Sequence, residues 1–325
     1  MPQHGSSLST DAPIALVGTG LVGRSWAVVF ARAGHPVALH DAAPDAAAAA
    51  VAWARATLES LHDAGLLAEA PATVAGRLRV ATSLEDVVRD ATLVQESTRE
   101  VLEAKQALMA ELDRLADPSA IVASSTSTIP ASRFSADLPG RARCLVAHPV
   151  NPPHLVPLVE LSPAPWTDPA VVERARALFA SVGQVPVVLR AEVDGFLLNR
   201  LQVALLQEAY RLYADGYASA EDIDRTVRDG LGLRWSFMGP FETIDLNAAG
   251  GLADFVHHLG PVFDAIAATQ LPRPWSPEMV ARLDAERRAE LPLADLPARQ
   301  AWRDRRLALL RAHRAEAEGR KPGSD

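Results

Sequence analysis

Cysteine is almost absent from this 325-residue chain, and the single Cys144 cannot close an intrachain disulfide, which excludes a disulfide-stapled fold. Lysine is nearly as scarce: Lys105 and Lys321 are the only two, and the rest of the 32 basic residues are arginine. Coding bias explains that choice most simply, yet it makes Lys105 worth following. Positive charge is in deficit, with 40 Asp and Glu leaving a formal charge of −8, which argues against a nucleic-acid or anionic-membrane partner. No run approaches the ~20 uninterrupted apolar residues of a membrane helix. The opening MPQHGSSLSTDAP also lacks the basic start and apolar run of a signal peptide, so a reducing, cytoplasmic setting is expected. What is present is a globular composition, 49% apolar and 22% charged, long enough for two domains.

Residues 1–12 and 315–325 are small, polar or charged, and are expected to be disordered. Between them, short apolar runs alternate with helix-forming stretches. The runs are Ile14–Val17, Val37–His40, Leu78–Ala81, Thr92–Gln95, Ala120–Ser124, Cys144–His148, Val156–Leu161 and Val185–Leu189. This alternation predicts βαβ crossovers and a doubly wound, mainly parallel α/β sheet covered by helices on both faces. Beyond about Arg190 the strand signal ends and helical patterns continue from Asp194–Tyr217 to Pro297–Ala312. The expected organisation is an α/β domain over 13–190 and an all-α domain over 191–314.

The first apolar run enters Gly18-Thr19-Gly20-Leu21-Val22-Gly23, and a helix follows. Gly18 suits a tight turn, Gly20 close approach of a pyrophosphate, and Gly23 close packing of helix on strand, while the helix start offers unpaired N–H groups. Asp41 ends the second strand. A carboxylate there accepts from a ribose 2′-hydroxyl and repels a 2′-phosphate, so the pattern points to NAD held by the Gly18–Gly23 turn and Asp41 in a Rossmann-like domain. Taken alone, Asp41 could equally form a turn before Ala-Ala-Pro.

Glu100 and Lys105 follow the Thr92–Gln95 strand, on the side where doubly wound sheets take ligands, although a solvated helix start explains them more simply. The hydroxyl row Ser124–Thr128 can bond a substrate oxygen or cap a turn. The segment from Ala147 to Leu161 says more. His148 closes one strand, and Glu160 occupies a place in VPLVEL that Val or Leu would normally fill. A carboxylate in such a run is costly unless paired, and imidazole is its natural partner. That pairing fixes the ring tautomer and lets the other nitrogen exchange a proton with a substrate alcohol. A satisfied buried histidine is the competing reading. A metal held by His148, His154 and Glu160 has a spacing that matches no familiar ligand pattern, so none is expected. Asn199, near the start of the long helix, either bonds a substrate or serves backbone.

Together these motifs resemble the 3-hydroxyacyl-coenzyme A dehydrogenase superfamily. The carrying stretches are GTGLVGRSWAVVFARAGHPV, AHPVNPPHLVPLVEL, DGFLLNRLQVALLQEAYRL and DGLGLRWSFMGPFETIDLNAAGG, with a late Trp302-Arg-Asp. Within it the chain is most similar to the lambda-crystallin branch, whose known activity is NAD-dependent L-gulonate 3-dehydrogenation. The resemblance implies that His148 is the general base and Glu160 its orienting partner. It implies that Ser127 and Asn199 are active-site contacts, that Asn151 lies beside nicotinamide and substrate, and that Glu100 and Lys105 touch the cofactor. It also implies a homodimer formed through the helical domain.

The substrate is less constrained. Asp45–Arg79 holds only Arg55, Arg77 and Arg79 as basic residues, which disfavours a polyphosphate tail. Arg234 stands where acyl-coenzyme A enzymes tend to have a Tyr-Pro, and its guanidinium suits a free carboxylate. The expected reaction is oxidation of the C3 hydroxyl of a small 3-hydroxy acid, L-gulonate first. L-carnitine or a 3-hydroxyacyl-coenzyme A are alternatives, as is a non-catalytic, crystallin-like NAD-binding protein. His154 departs from the aromatic residue common in that branch.

Overall fold

The structure, a computed structural model, describes residues 12–319. Most of the two segments expected to be disordered lies outside that range, but Ala12 is buried and the last helix continues to Ala317. Eight strands form one sheet: β1 (Ile14–Val17), β2 (Val37–His40), β3 (Leu78–Val80), β4 (Leu93–Glu96), β5 (Ile121–Ser124), β6 (Cys144–Pro149), β7 (Leu158–Pro163) and β8 (Val185–Val188), in the order β3-β2-β1-β4-β5-β6-β7-β8. Every pairing is parallel except β6 with β7, so the expected doubly wound sheet is present and reverses its order between β1 and β4.

The helices of this part are α1 (Leu21–Arg32), α2 (Ala46–Asp63), α3 (Pro71–Ala75), α4 (Leu84–Val88), α5 (Leu102–Leu115), α6 (Ala131–Ser135) and α7 (Pro169–Ser181). Strand alternation divides the apolar side chains between two cores. Leu16, Leu39, Leu93 and Leu161 meet Trp26 and Phe30 of α1 and Phe179 of α7 on one face. Ala15, Val17, Val94 and Val146 meet Met109 and Leu112 of α5 on the other.

The remaining helices are α8 (Phe196–Ala214), α9 (Ala220–Arg225), α10 (Gly232–Trp235), α11 (Pro240–Asp245), α12 (Gly251–Ala267), α13 (Pro277–Glu290) and α14 (Leu296–Ala317). The chain divides into two compact units, one of residues up to Asn199 together with those from Trp302 onward, the other Arg200–Ala301. By this division the second unit begins a few residues into α8. Most of α14 returns to the sheet-bearing unit, where Ala308 joins the core of Trp26 and Phe30.

The Arg200–Ala301 unit is all helical. Tyr210 stacks on Trp275 with centroids 4.7 Å apart, and the Tyr213 hydroxyl donates to Glu286 at 2.6 Å beneath the Arg282 guanidinium. A π-helical turn, Thr226–Leu231, leads into α10; Gly232 is needed there because a Cβ would lie 2.9 Å from the Val227 carbonyl oxygen.

Candidate active site

The candidate His148–Glu160 pair sits on adjacent antiparallel strands. In the β6–β7 register His148 faces Glu160, and His148 Nδ1 lies 2.8 Å from Glu160 Oε2, both side chains buried. The second carboxylate oxygen, Oε1, accepts from the backbone N–H of Leu197 at 2.8 Å and of Leu198 at 2.9 Å, the first turn of α8. Gly195 and Phe196, at φ 78° and 52°, bend the chain into that turn, and the buried Phe196 ring packs 5.2 Å from the His148 ring. A left-handed aromatic residue is unusual and carries strain that tight packing must hold. Burial pushes the Glu160 carboxyl upward, but the His148 hydrogen bond and the Leu198 and Leu197 N–H groups outweigh it and hold it below its ordinary range. An ionised carboxylate can only accept, so Nδ1 carries the hydrogen and Nε2 is left as the basic nitrogen.

The same helix start reaches the hydroxyl-rich turn. Asn199 Nδ2 donates to the Ser127 carbonyl oxygen at 2.8 Å. Glu100 Oε1 gathers that turn from beneath, accepting from Ser127 N at 3.0 Å, from Thr128 N and Oγ1 at 2.9 Å each, and from the Thr126 hydroxyl. Burial raises the Glu100 carboxyl, and the Thr126 and Thr128 hydrogen bonds with the nearby Lys105 charge lower it further than that. The Ser127 side chain remains exposed. His148, Glu160, Asn199, Ser127 and Glu100 are thus joined in one bonded sequence across β6, β7, α8 and the turn after β5.

Lys105 lies on α5, five residues after Glu100. It points inward from α5, fully buried, with Nζ 2.6 Å from Glu96 Oε2 and 3.3 Å from Ser124 Oγ. It therefore ties α5 to the ends of β4 and β5; breaking such a buried pair typically costs about 3–5 kcal/mol. Glu100 organises the turn after β5. Asn151 is exposed in the loop after β6. His154 packs edge-on against Trp53 at 5.6 Å, while its carbonyl takes hydrogen bonds from Arg32 and Arg311, so it is a buried part of the sheet-bearing unit. Arg234 lies exposed on α10 of the helical unit. Among the described residues no group of three His, Cys, Asp or Glu is arranged to hold a metal.

The glycine turn fits a dinucleotide. A Cβ on Gly18 would stand 2.7 Å from the Ser97 carbonyl carbon, and one on Gly23 1.9 Å from the Gly18 carbonyl oxygen, so neither tolerates a side chain. Gly20 has nothing within 4 Å of the same position and caps α1 without a side-chain hydrogen bond. Two glycines therefore serve packing and the third leaves open space at a helix start, where Leu21 and Val22 present unpaired N–H groups to an anion. Asp41 Oδ2 accepts from Thr19 N at 2.7 Å and Oγ1 at 3.0 Å, and Oδ1 from Ala43 N at 2.9 Å. Partial burial raises its carboxyl, and the Ala43 and Thr19 hydrogen bonds more than offset that, so it is ionised and tied to the turn.

Comparison with known proteins agrees with this geometry. The profile of the 3-hydroxyacyl-CoA dehydrogenase NAD binding domain matches residues 13–193, and that of the 3-hydroxyacyl-CoA dehydrogenase C-terminal domain matches 195–291. A lambda-crystallin homolog of Bos taurus is 42% identical over 310 residues, covering 92% of this chain and 95% of its own. L-carnitine dehydrogenase of Streptomyces griseus is 37% identical, covering 86% and 84%. The crystal structure of 5-formyl-3-hydroxy-2-methylpyridine 4-carboxylic acid 5-dehydrogenase, an NAD+-dependent dismutase, is 29% identical with a TM-score of 0.82, covering 95% and 99%.

Proposed function

The chain belongs to the 3-hydroxyacyl-CoA dehydrogenase family and is an NAD-dependent dehydrogenase acting on CH–OH; on that premise we propose that it oxidises the C3 hydroxyl of a small 3-hydroxy acid with a free carboxylate, L-gulonate foremost. The observation that carries the chemistry is the buried His148–Glu160 pair at 2.8 Å, anchored on the start of α8. Bound at the Gly18–Gly23 turn and Asp41, NAD supplies the hydride acceptor. His148 Nε2 takes the hydroxyl proton, Glu160 stabilises the imidazolium that results, and the same nitrogen returns the proton in the reverse direction. Ser127, Asn199 and Asn151 orient the substrate oxygen.

Two features favour a free acid over a coenzyme A thioester. Of the three arginines in the α2–β3 region, Arg77 is held in a two-point pair by Glu69 and Arg79 is paired with Asp86, which leaves little cationic surface for polyphosphate. Exposed Arg234 offers a planar, two-point grip for a carboxylate. L-Carnitine, the substrate in the name of one relative, is also a free 3-hydroxy acid. NADH production measured with L-gulonate, L-carnitine, 3-hydroxybutyrate and 3-hydroxybutyryl-coenzyme A decides the matter. Turnover of the thioester alone overturns the free-acid reading, and NADH binding without any turnover makes the chain a non-catalytic, crystallin-like protein.

The helical unit is the proposed homodimer surface. Leu252, Val256, Leu259, Phe263 and Ile266 form an exposed stripe along α12 at helical spacing. Sedimentation as a single 34.7 kDa species would overturn that pairing. No described helix is long and apolar enough to cross a membrane. Burial, with the nearby Asp113 carboxylate, pushes the Cys144 thiol up to about 12, an inert state.

A further inference from the structure

A buried relay of donors ends beside the glycine turn, and its polarity can be counted. Trp26 Nε1, which can only donate, gives its hydrogen to Ser125 Oγ at 3.1 Å. Gln95 Nε2 gives a second at 2.7 Å, and its further contact with the Ala147 carbonyl oxygen at 3.3 Å, a pure acceptor, fixes which end of the amide faces there. Two incoming hydrogens fill the lone pairs of Ser125, so its own O–H donates to Ser97 Oγ, 2.9 Å away. Ser97 receives that hydrogen and cannot return one. Its hydroxyl hydrogen must find an acceptor elsewhere, and none is supplied by the described residues.

Ser97 directly follows β4, at the reversal of strand order between β1 and β4, the crevice in which doubly wound sheets take their ligands. Its backbone lies against Gly18, and the residue is partly exposed. Asp41 directly follows β2 on one side of β1, whereas Ser97 lies on the other side, toward β6 and His148. We propose that Ser97 is a cofactor-binding residue whose hydroxyl donates to a ribose oxygen in the nicotinamide-side half of NAD. The Trp26–Gln95–Ser125 relay presets it as a donor before the ligand arrives, so no rotor has to be reoriented on binding.

Binding titrations without turnover test this, using NADH fluorescence together with calorimetry of ADP-ribose, which carries both riboses, and of AMP, which carries only the adenosine half. NADH binding by the unaltered chain checks the site itself, separately from the part played by Ser97. Ser97→Ala should weaken NADH and ADP-ribose about 3- to 10-fold and leave AMP unchanged, and Ser97→Thr should recover the loss. Unchanged NADH affinity in Ser97→Ala, an equal loss for AMP, or Ser97→Thr binding as weakly as Ser97→Ala would each overturn the assignment. Should Ser97→Ala fail to fold, Ser97→Thr against Ser97→Val repeats the comparison at equal shape.

Discussion

In the sheet-bearing unit Trp26, Phe30 and Phe179 are wholly buried, whereas in the helical unit Trp235, Phe237, Phe241 and Phe263 stand exposed. The first unit completes two cores from its own chain, and its polar site residues are fixed by buried hydrogen bonds. The second is held by stacked and charge-bridged side chains such as Tyr210 with Trp275 and Tyr213 with Glu286, and keeps much of its apolar surface outside. Chemistry that must be positioned to fractions of an ångström belongs on the former. Recognition and assembly, which use exposed aromatic and arginine side chains, suit the latter.

The largest effect expected from this contrast lies in the rigid unit. His148→Gln should lower kcat about 10²- to 10⁴-fold, the usual contribution of a positioned base, while NADH affinity stays close to that of the unaltered protein. Retained turnover would mean that the buried pair is structural. The helical unit should respond in KM instead. On the proposed carboxylate grip, Arg234→Met removes a charge-assisted hydrogen bond worth about 1.5–3 kcal/mol, so KM for a free 3-hydroxy acid should rise roughly 10- to 150-fold with little change in NADH binding. A steady-state assay giving an unchanged KM removes Arg234 from recognition and weakens the division of labour.

The same contrast governs what could be read in advance. The glycine turn and the His148–Glu160 pair were legible because each breaks a local rule: three glycines at a strand-to-helix turn, and a carboxylate in an apolar strand. The orientation of Lys105 was not, since its place near a strand end does not say which way α5 faces, and in the structure it turns inward to Glu96. The Ser125 hub was missed although its signal was present, in that Gln95 is an amide inside a buried strand and had to have partners. The unit boundary at Asn199 was also hidden. A helix that continues through a division leaves no break in its periodicity, and the few buried contacts of α14, around Ala308, are a narrow apolar face.

The smallest expected effect concerns stability of the rigid unit rather than catalysis. Burial, reinforced by the Arg32, Arg311, Arg24 and Arg303 charges, pushes the His154 imidazole down to about 3 from an ordinary 6.5. Between those values the unfolded chain binds a proton that the folded chain refuses, so this residue costs nothing above pH 6.5, and its cost grows as pH falls until the folded form also protonates near pH 3. At pH 5.5 the penalty is about 1.4 kcal/mol. His154→Leu removes the titration, and because Nδ1 has no hydrogen-bond partner in the fold, it sacrifices no bond at that atom. Urea midpoints at pH 8 and pH 5.5 should therefore lie closer together in His154→Leu than in the unaltered protein. An identical shift in both would show that the arginine-lined pocket around His154 opens to solvent in acid, and that the sheet-bearing unit is less rigid there than its buried cores imply.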